Sequence, residues 1–455
     1  MTIEPIGILT LIIGLIAVFC RPNFAMLAFV LQALLGASAA FLLGGSGSIQ
    51  PAHVMLCFLL LVIFREPESF QIAMNVFAFP RQGFWLLSFA VYGLLSAYFF
   101  PRFFAGWTGI NAIGSTAYEP TPLLVPLGPT SGNITQSIYL LADLSCFVAV
   151  QTYVVRMKSY DDLLICLLFY SLLNVIFAAV DLITAATNTG FLLDFIRNAD
   201  YQLHTGEITG GFRRIVGSFV ETSSFSYATI GSFAFTTRLW LDGYDTWRTG
   251  ILSVFSFILL CSSTSSTAYA SLFILLILLF SGGLWRAVSR KVAYTTVVFV
   301  VLLPPLVFLL LLTILINPET FSILIDLFET TVLDKATSTS GLERAQWNQT
   351  ALQNFFDTFG VGGGLGSMRA SSFMVALLSN IGIFGAAIFS IFFAKLFRTN
   401  CEKTDTQADR TVRAGARLAC ISLLVAASVS GALVDLGLLF YVFSALASAR
   451  FENRI

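Results

Sequence analysis

The chain has 455 residues, 57% of them hydrophobic and only 11% charged, with 25 basic and 25 acidic side chains that cancel. Soluble domains carry about 25% charged residues, so this composition excludes a water-soluble globular protein and places the chain in the membrane class. The neutral balance, with no block of like charge, gives nucleic acid nothing to bind.

Taken in order, the chain offers thirteen candidate spans: 3–20, 24–43, 51–64, 83–100, 134–155, 162–182, 219–238, 249–262, 266–281, 292–316, 371–397, 416–434 and 436–449. A crossing helix needs about 20 apolar residues, fewer where protein or water shields its end. The expectation is an all-α integral membrane protein of about 12–13 transmembrane helices, a single polytopic domain over residues 1–455 without internal repeats. The first run, Ile6 to Phe19, lacks the basic flank and small-residue cleavage site of a signal peptide and is expected to be a span. Seven cysteines are scattered, mostly inside apolar runs, which argues against a disulfide framework or a zinc site.

Basic residues set the orientation. Arg102, Arg197, Arg213, Arg214, Lys335, Arg344 and Arg369 fall on one side. The other 18, among them Arg81, Arg156, Lys158, Lys395, Arg398 and Arg450, fall on the opposite side, which is therefore expected to be cytoplasmic. Six of the seven outer cations lie in two loops, 184–218 and 317–370, although the positive-inside rule works against them there. That opposition implies a task, and the two are expected to be catalytic loops on the periplasmic side. The loop from Pro101 to Asn133, rich in Gly, Pro, Ser and Thr, reads as an ordered cover or a lid, and Ser69 to Pro80 as a cytoplasmic interfacial segment.

Several residues could carry chemistry. Asp143 lies mid-span, where a carboxylate is either functional or held by a hydrogen bond to another span, with Asn174 as a candidate partner. In the first loop His204 is a candidate base. Arg213 and Arg214 either anchor at lipid headgroups or grip phosphate oxygens through their planar forks. Glu221, opening the next span, either pairs with Arg214 or acts as a general base. Ser262 to Thr267 divides the eighth and ninth spans.

The polar insert from Asn317 to Ser372 is the stretch around which the rest is organised. Its residues 342–359 repeat apolar positions at helical spacing, placing Arg344 and Trp347, three apart, on one face. A cation beside an indole suits a sugar ring above a phosphate, though both are also common interfacial anchors. The turn from Gly360 to Gly366 lacks the Lys and the preceding strand of a P-loop. Its glycines, Gly364 at their centre, permit a tight reversal and close approach of backbone to a ligand. Arg369 follows at the mouth of the next span. No DxD, H-E-x-x-H or G-x-S-x-G motif and no paired Cys/His set occurs, so neither a metal nor another cofactor is expected.

Two patterns together carry a resemblance. R-x-x-G-S-F before one span (Arg214, Gly217, Ser218, Phe219), then R-x-x-W and G-x-G-x-G-S before a later one (Arg344, Trp347, Gly362, Gly364, Gly366, Ser367), resemble the O-antigen polymerase and ligase superfamily. The likeness is best over residues 341–385. It implies the helical membrane fold of type C glycosyltransferases and a polyprenyl-diphosphate-linked oligosaccharide as donor. It also implies metal-free transfer at the periplasmic face of the bacterial inner membrane, in which arginines stabilise the diphosphate leaving group. Arg214 and Arg344 match the family's functional arginines, with Arg213, Trp347, Gly364 and Arg369 as candidate substrate contacts and Glu221 as candidate base. Membrane lipid, a chain-length regulator and a flippase are the other implied partners. Two positions depart from the pattern. Where ligases carry a His after the glycine turn, this chain has Arg369, Ser371 and Ser372, which favours a polymerase. The family's Ser-Arg pair between two middle spans is here only Ser265 and Ser266. The rivals are a ligase acting on a different acceptor and a lipid-linked oligosaccharide flippase or other transporter. A transporter should line a path with charge on many spans, whereas here charge gathers in two loops.

Overall fold

Helix dominates because the apolar runs must satisfy their own backbone groups wherever no water reaches them. The computed structural model describes residues 2–44, 47–116, 124–199, 203–204, 206–209, 211–289, 292–317, 321–322, 325, 339–398 and 406–451. Lys335 and most of 318–338 lie outside the described residues. Where the sequence suggests one body, the chain divides into two compact units of three segments each. The division falls within helices α3 (Pro51–Phe64) and α14 (Gln407–Ser430).

The first unit holds α1 (Pro5–Phe19), α2 (Pro22–Gln32), α7 (Asp161–Ala186), α8 (Thr222–Leu241), α9 (Thr246–Ser262), α10 (Ser266–Ser289) and α11 (Tyr294–Ile316). Strands β1 (Thr2–Ile3), β2 (Phe41–Gly44) and β3 (Gly47–Ile49) form a small antiparallel sheet. The expected span 24–43 is therefore corrected: its helix stops at Gln32, and its last residues enter β2. Beyond it the chain turns and packs closely; a Cβ at Gly36 would lie 2.7 Å from the Phe219 ring. Helix α8 packs against α7, α9 and α10 and is buried over most of its length. It can bury seven Ser and Thr side chains because several turn inward: Ser226, Thr229 and Thr236 each donate to the carbonyl four residues back.

The second unit holds α4 (Pro67–Val76), α5 (Gln82–Phe103), α6 (Ser131–Met157), α12 (Thr339–Asp357), α13 (Phe373–Phe397) and α15 (Gly437–Ser448). Helix α13 packs on α5, α12 and α15, and α6 packs on α4, α5 and α15. Aromatic pairs fill the centre, with Phe389 meeting Phe89 at 5.4 Å and Phe373 at 5.3 Å between ring centroids. A two-stranded ladder, β4 (Gly109–Ile110) with β5 (Val125–Pro126), covers one end. There Phe104, Ile110 and Leu127 bury Met368, so the described part of the Pro101–Asn133 loop is an ordered cover.

Among the described residues, seven helices are long and apolar enough to cross a membrane: α5, α6, α7, α10, α11, α13 and α14. Five shorter apolar helices, α1, α2, α3, α9 and α15, account for most of the remaining expected spans. Helix α11 carries the clearest signature, with Val301, Leu306, Phe308, Leu309 and Leu310 all exposed. An apolar surface of that extent is stable only against lipid or protein. The protein is an all-α, multi-pass membrane protein.

Candidate functional site

Each unit carries one cluster of candidate residues. In the first unit the cluster is built on Asp181, near the end of α7 and 1% exposed. One carboxylate oxygen accepts the backbone N–H of Val216 at 2.9 Å and of Gly217 at 3.0 Å. The other accepts from Arg197 at 2.8 Å and from Arg213 at 3.4 Å. Arg197 also donates through Nε to the Gly217 carbonyl at 3.1 Å. Asp181 and Arg197 thus fold the arm on which Arg213 and Arg214 stand, and the rest of the motif anchors it. Ser218 Oγ donates to the Leu34 carbonyl at 2.6 Å, and Gly217 takes a φ of +59° that favours glycine. The G-S-F half of the first motif is a packing device.

Strands β6 (Ile208–Thr209) and β7 (Phe212–Arg213) pair so that Glu207 flanks Arg214. Arg214 donates to Glu207 at 2.5 Å, and the other oxygen of Glu207 meets His204 Nδ1 at 2.8 Å. Burial alone would raise the Glu207 carboxyl, but His204 and Arg214 together hold it below the usual carboxylate range. The alternatives for Glu221 resolve in one respect. Arg214 has Glu207 as its carboxylate partner, while Glu221, the residue preceding α8, accepts from the Ser223 hydroxyl. His204 shares the Glu207 carboxylate with Arg214. The Nε–H groups of both Arg213 and Arg214 are buried and have no acceptor among the described residues. Each such orphan costs about 1–3 kcal/mol, a cost that an anionic oxygen at the site would remove.

In the second unit the cluster is built on a broken helix. Gly382 interrupts α13 with a φ of +66° and ψ of −169°. The break frees backbone carbonyls, and the glycine turn inserts against them: Gly363 N–H donates to Ser379 at 2.8 Å and Gly364 N–H to Asn380 at 2.7 Å. In return Ile383 N–H donates to Gly360 at 2.9 Å. A Cβ at Gly382 would sit 2.2 Å from the Val361 carbonyl oxygen, which is why glycine stands there. Two buried amides lock the turn. Asn380 accepts the N–H of Ser367 and Met368 and donates to the Met368 carbonyl; Asn133 donates to the Leu365 carbonyl and to Ser367 Oγ.

The expectation that Gly364 approaches a ligand is therefore corrected. Its N–H is already used, and a Cβ there would meet Pro101 at 2.6 Å and the Ser96 carbonyl oxygen at 2.8 Å. The close approach is to the protein's own chain. What the turn delivers is Arg369, whose backbone N–H donates to the Asn111 carbonyl at 2.8 Å. Trp347, three residues from Arg344 on α12, also has a second cation beside it: the Arg369 guanidinium lies over the indole, 4.3 Å from its centroid. Arg344, half-buried on α12, pairs with no described acidic residue. The glycine turn and α12 thus set Arg369 on Trp347, one turn of helix beyond Arg344.

Compared with known proteins, the chain matches no family, no curated sequence and no solved structure. Function has to be argued from the residues.

Asp143, buried in α6, faces Asp435 in place of Asn174, whose amide donates to Thr229 at 2.9 Å within the first unit. Sequence reasoning passed over Asp181 and Glu207. The signal for Asp181 was a lone carboxylate near the end of the apolar run 162–182, and for Glu207 a short hairpin around the Gly-Gly at 210–211 that sets it opposite Arg214. Among the described residues no three His, Cys, Asp or Glu side chains gather into a metal-binding group.

Proposed function

We propose that the protein is a polysaccharide polymerase that joins polyprenyl-diphosphate-linked oligosaccharide repeat units at the outer face of the bacterial inner membrane. In the reaction a hydroxyl of one unit attacks C1 of the sugar carried on a second lipid. The glycosidic C–O bond forms, the bond to the diphosphate breaks, and the electron pair leaves on a phosphate oxygen. Guanidinium groups suit this leaving group: they keep their charge, offer paired donors, and stabilise negative charge that grows in the transition state. The observation that carries the reading is the pair of buried Nε–H groups on Arg213 and Arg214 without an acceptor among the described residues.

The second unit supplies its own candidates, Arg344 and Arg369, with Trp347 as a platform for a sugar ring. Each cluster is a candidate diphosphate site by itself. Glu221 is the candidate base that takes the attacking hydroxyl's proton, and no metal is required by these roles. A ligase would share the chemistry but need a different acceptor; a transporter would need none of it.

The test is polymerisation by purified protein from lipid-linked repeats in EDTA, read as a ladder on a gel. Wild type should give long chains. Activity restored only by manganese or magnesium would place the chemistry on a metal instead. Orientation is tested in a cysteine-free background with single cysteines at Ser340 and Gln407. An impermeant reagent should label only the first in intact spheroplasts, and labelling of both would overturn the assignment.

A further inference from the structure

Away from the two arginine clusters, the second unit contains a cavity of about 670 Å³ whose walls are unusually basic. Among the described residues, Arg81, Arg156, Lys158, Lys395, Arg398 and Arg450 line it, against one carboxylate, Glu68. These six come from four separate stretches: the start of α5, the end of α6, the end of α13 and the residue pair after α15. The positive-inside rule asks only that such residues share a side; it does not ask that they converge. Ordinary helix chemistry accounts for part of the charge, since cations favour helix C-termini. The ends of α4, α6, α13 and α15, set against the start of α5, supply a net of about −1.5 charges at half a charge per terminus. The side chains supply a formal +5. Nearby, Glu66 meets Arg156 only at 3.8 Å and is itself 44% exposed. Positive charge remains in excess.

The rest of the wall says what kind of anion fits. Val76, Val155 and Phe451 give it an apolar side, and Phe79, 70% exposed, stands at its rim. Helix α4 beside it buries Ser69, Ala73 and Val76 and turns Phe70 and Met74 outward, 58% and 70% exposed. An amphipathic helix that turns large apolar side chains outward suits a membrane interface. A basic cavity next to such a helix faces lipid headgroups. Basic pockets on the cytoplasmic side of membrane helices hold phosphate-bearing headgroups.

We propose that this cavity binds the phosphate of an anionic lipid headgroup, a site separate from the catalytic reading and independent of it. Delipidated full-length protein in neutral detergent is titrated with phosphatidylglycerol, with phosphatidylcholine and with inorganic pyrophosphate, and bound lipid is counted by native mass spectrometry. Phosphatidylglycerol should bind at least tenfold tighter than phosphatidylcholine. Arg398→Gln with Arg450→Gln removes two exposed cations, each worth a factor of about five near a membrane surface, and should weaken phosphatidylglycerol tenfold to thirtyfold. Glu68→Gln removes the opposing charge and should tighten it a few-fold, which keeps the test alive if the double variant folds poorly. Pyrophosphate that binds alone and displaces phosphatidylglycerol would support the phosphate site but assign it to a soluble ligand. Equal binding of the two lipids, or phosphatidylglycerol binding untouched by both variants, would overturn the proposal.

Discussion

Arg214 and Arg344 carry the same side chain in very different settings. Arg214 is held by a carboxylate, Glu207, and its neighbour Arg213 by the buried Asp181. Arg344 pairs with no described acid, and the turn that precedes Arg369 is locked by neutral amides, Asn133 and Asn380. In the first unit position is bought with partial neutralisation; in the second, neutral groups fix the backbone, and Arg344 keeps its charge with no described acid beside it. A charge next to an opposite charge does less at a distance. Arg344 should therefore contribute more transition-state stabilisation than Arg214, and the first unit more rigidity.

The largest expected effect breaks the scaffold side of this comparison. Asp181→Ala leaves Arg197 buried without its partner, and removing one member of a buried pair costs about 3–5 kcal/mol. The variant should fail to accumulate in membranes, measured by immunoblot and by detergent-resistant folded protein. Normal amounts of folded Asp181→Ala would mean that the arm is held by something else.

Substitution at the arginines sharpens the comparison. A charge-assisted hydrogen bond is worth roughly 1.5–3 kcal/mol, and 1.36 kcal/mol is a tenfold rate. Lys keeps the charge but loses the fork. Arg344→Lys should slow polymerisation about tenfold to a hundredfold and yield short products at matched protein levels, while Arg214→Lys should sit at or below the low end of that range. Arg102→Lys, whose guanidinium donates to the Tyr98 carbonyl within its own helix, should be nearly silent. The reverse order of Arg344 and Arg214 would refute the neutralisation argument, and full-length polymer from Arg344→Lys would return that residue to the role of a membrane anchor.

The smallest effect concerns Glu207. Its carboxyl lies below the usual range, so its pair with Arg214 is intact above about pH 4.3 and is lost as pH falls through the lowered value. The side chain is 41% exposed, and solvent limits such a pair to about 0–1 kcal/mol. Glu207→Gln should lower thermal stability slightly at pH 7, with the gap to wild type closing in acid. A gap that widens in acid would contradict the pairing.

Much of the helical skeleton could be read from hydrophobic runs alone, because span length and apolarity are local properties. So could α12, from its apolar positions between 342 and 359. The sites were legible only in outline. Asn133 lies 232 residues from the Leu365 carbonyl it holds, and Arg369 reaches Trp347 only because Gly382 breaks α13 and admits the glycine turn. Those are tertiary facts with no local pattern. The span 24–43 misled for the opposite reason: its composition suits a membrane, but the helix stops at Gln32 and the chain beyond it packs Gly36 against Phe219.

The central claim is that this chain breaks and makes a bond. The direct measurement gives purified protein only the lipid-linked repeat, in EDTA, and counts polyprenyl diphosphate released against glycosidic bonds formed. The account predicts one diphosphate per bond, with Arg344→Lys lowering both together. Substrate bound or moved across a vesicle membrane with no diphosphate released would contradict it and leave a transporter.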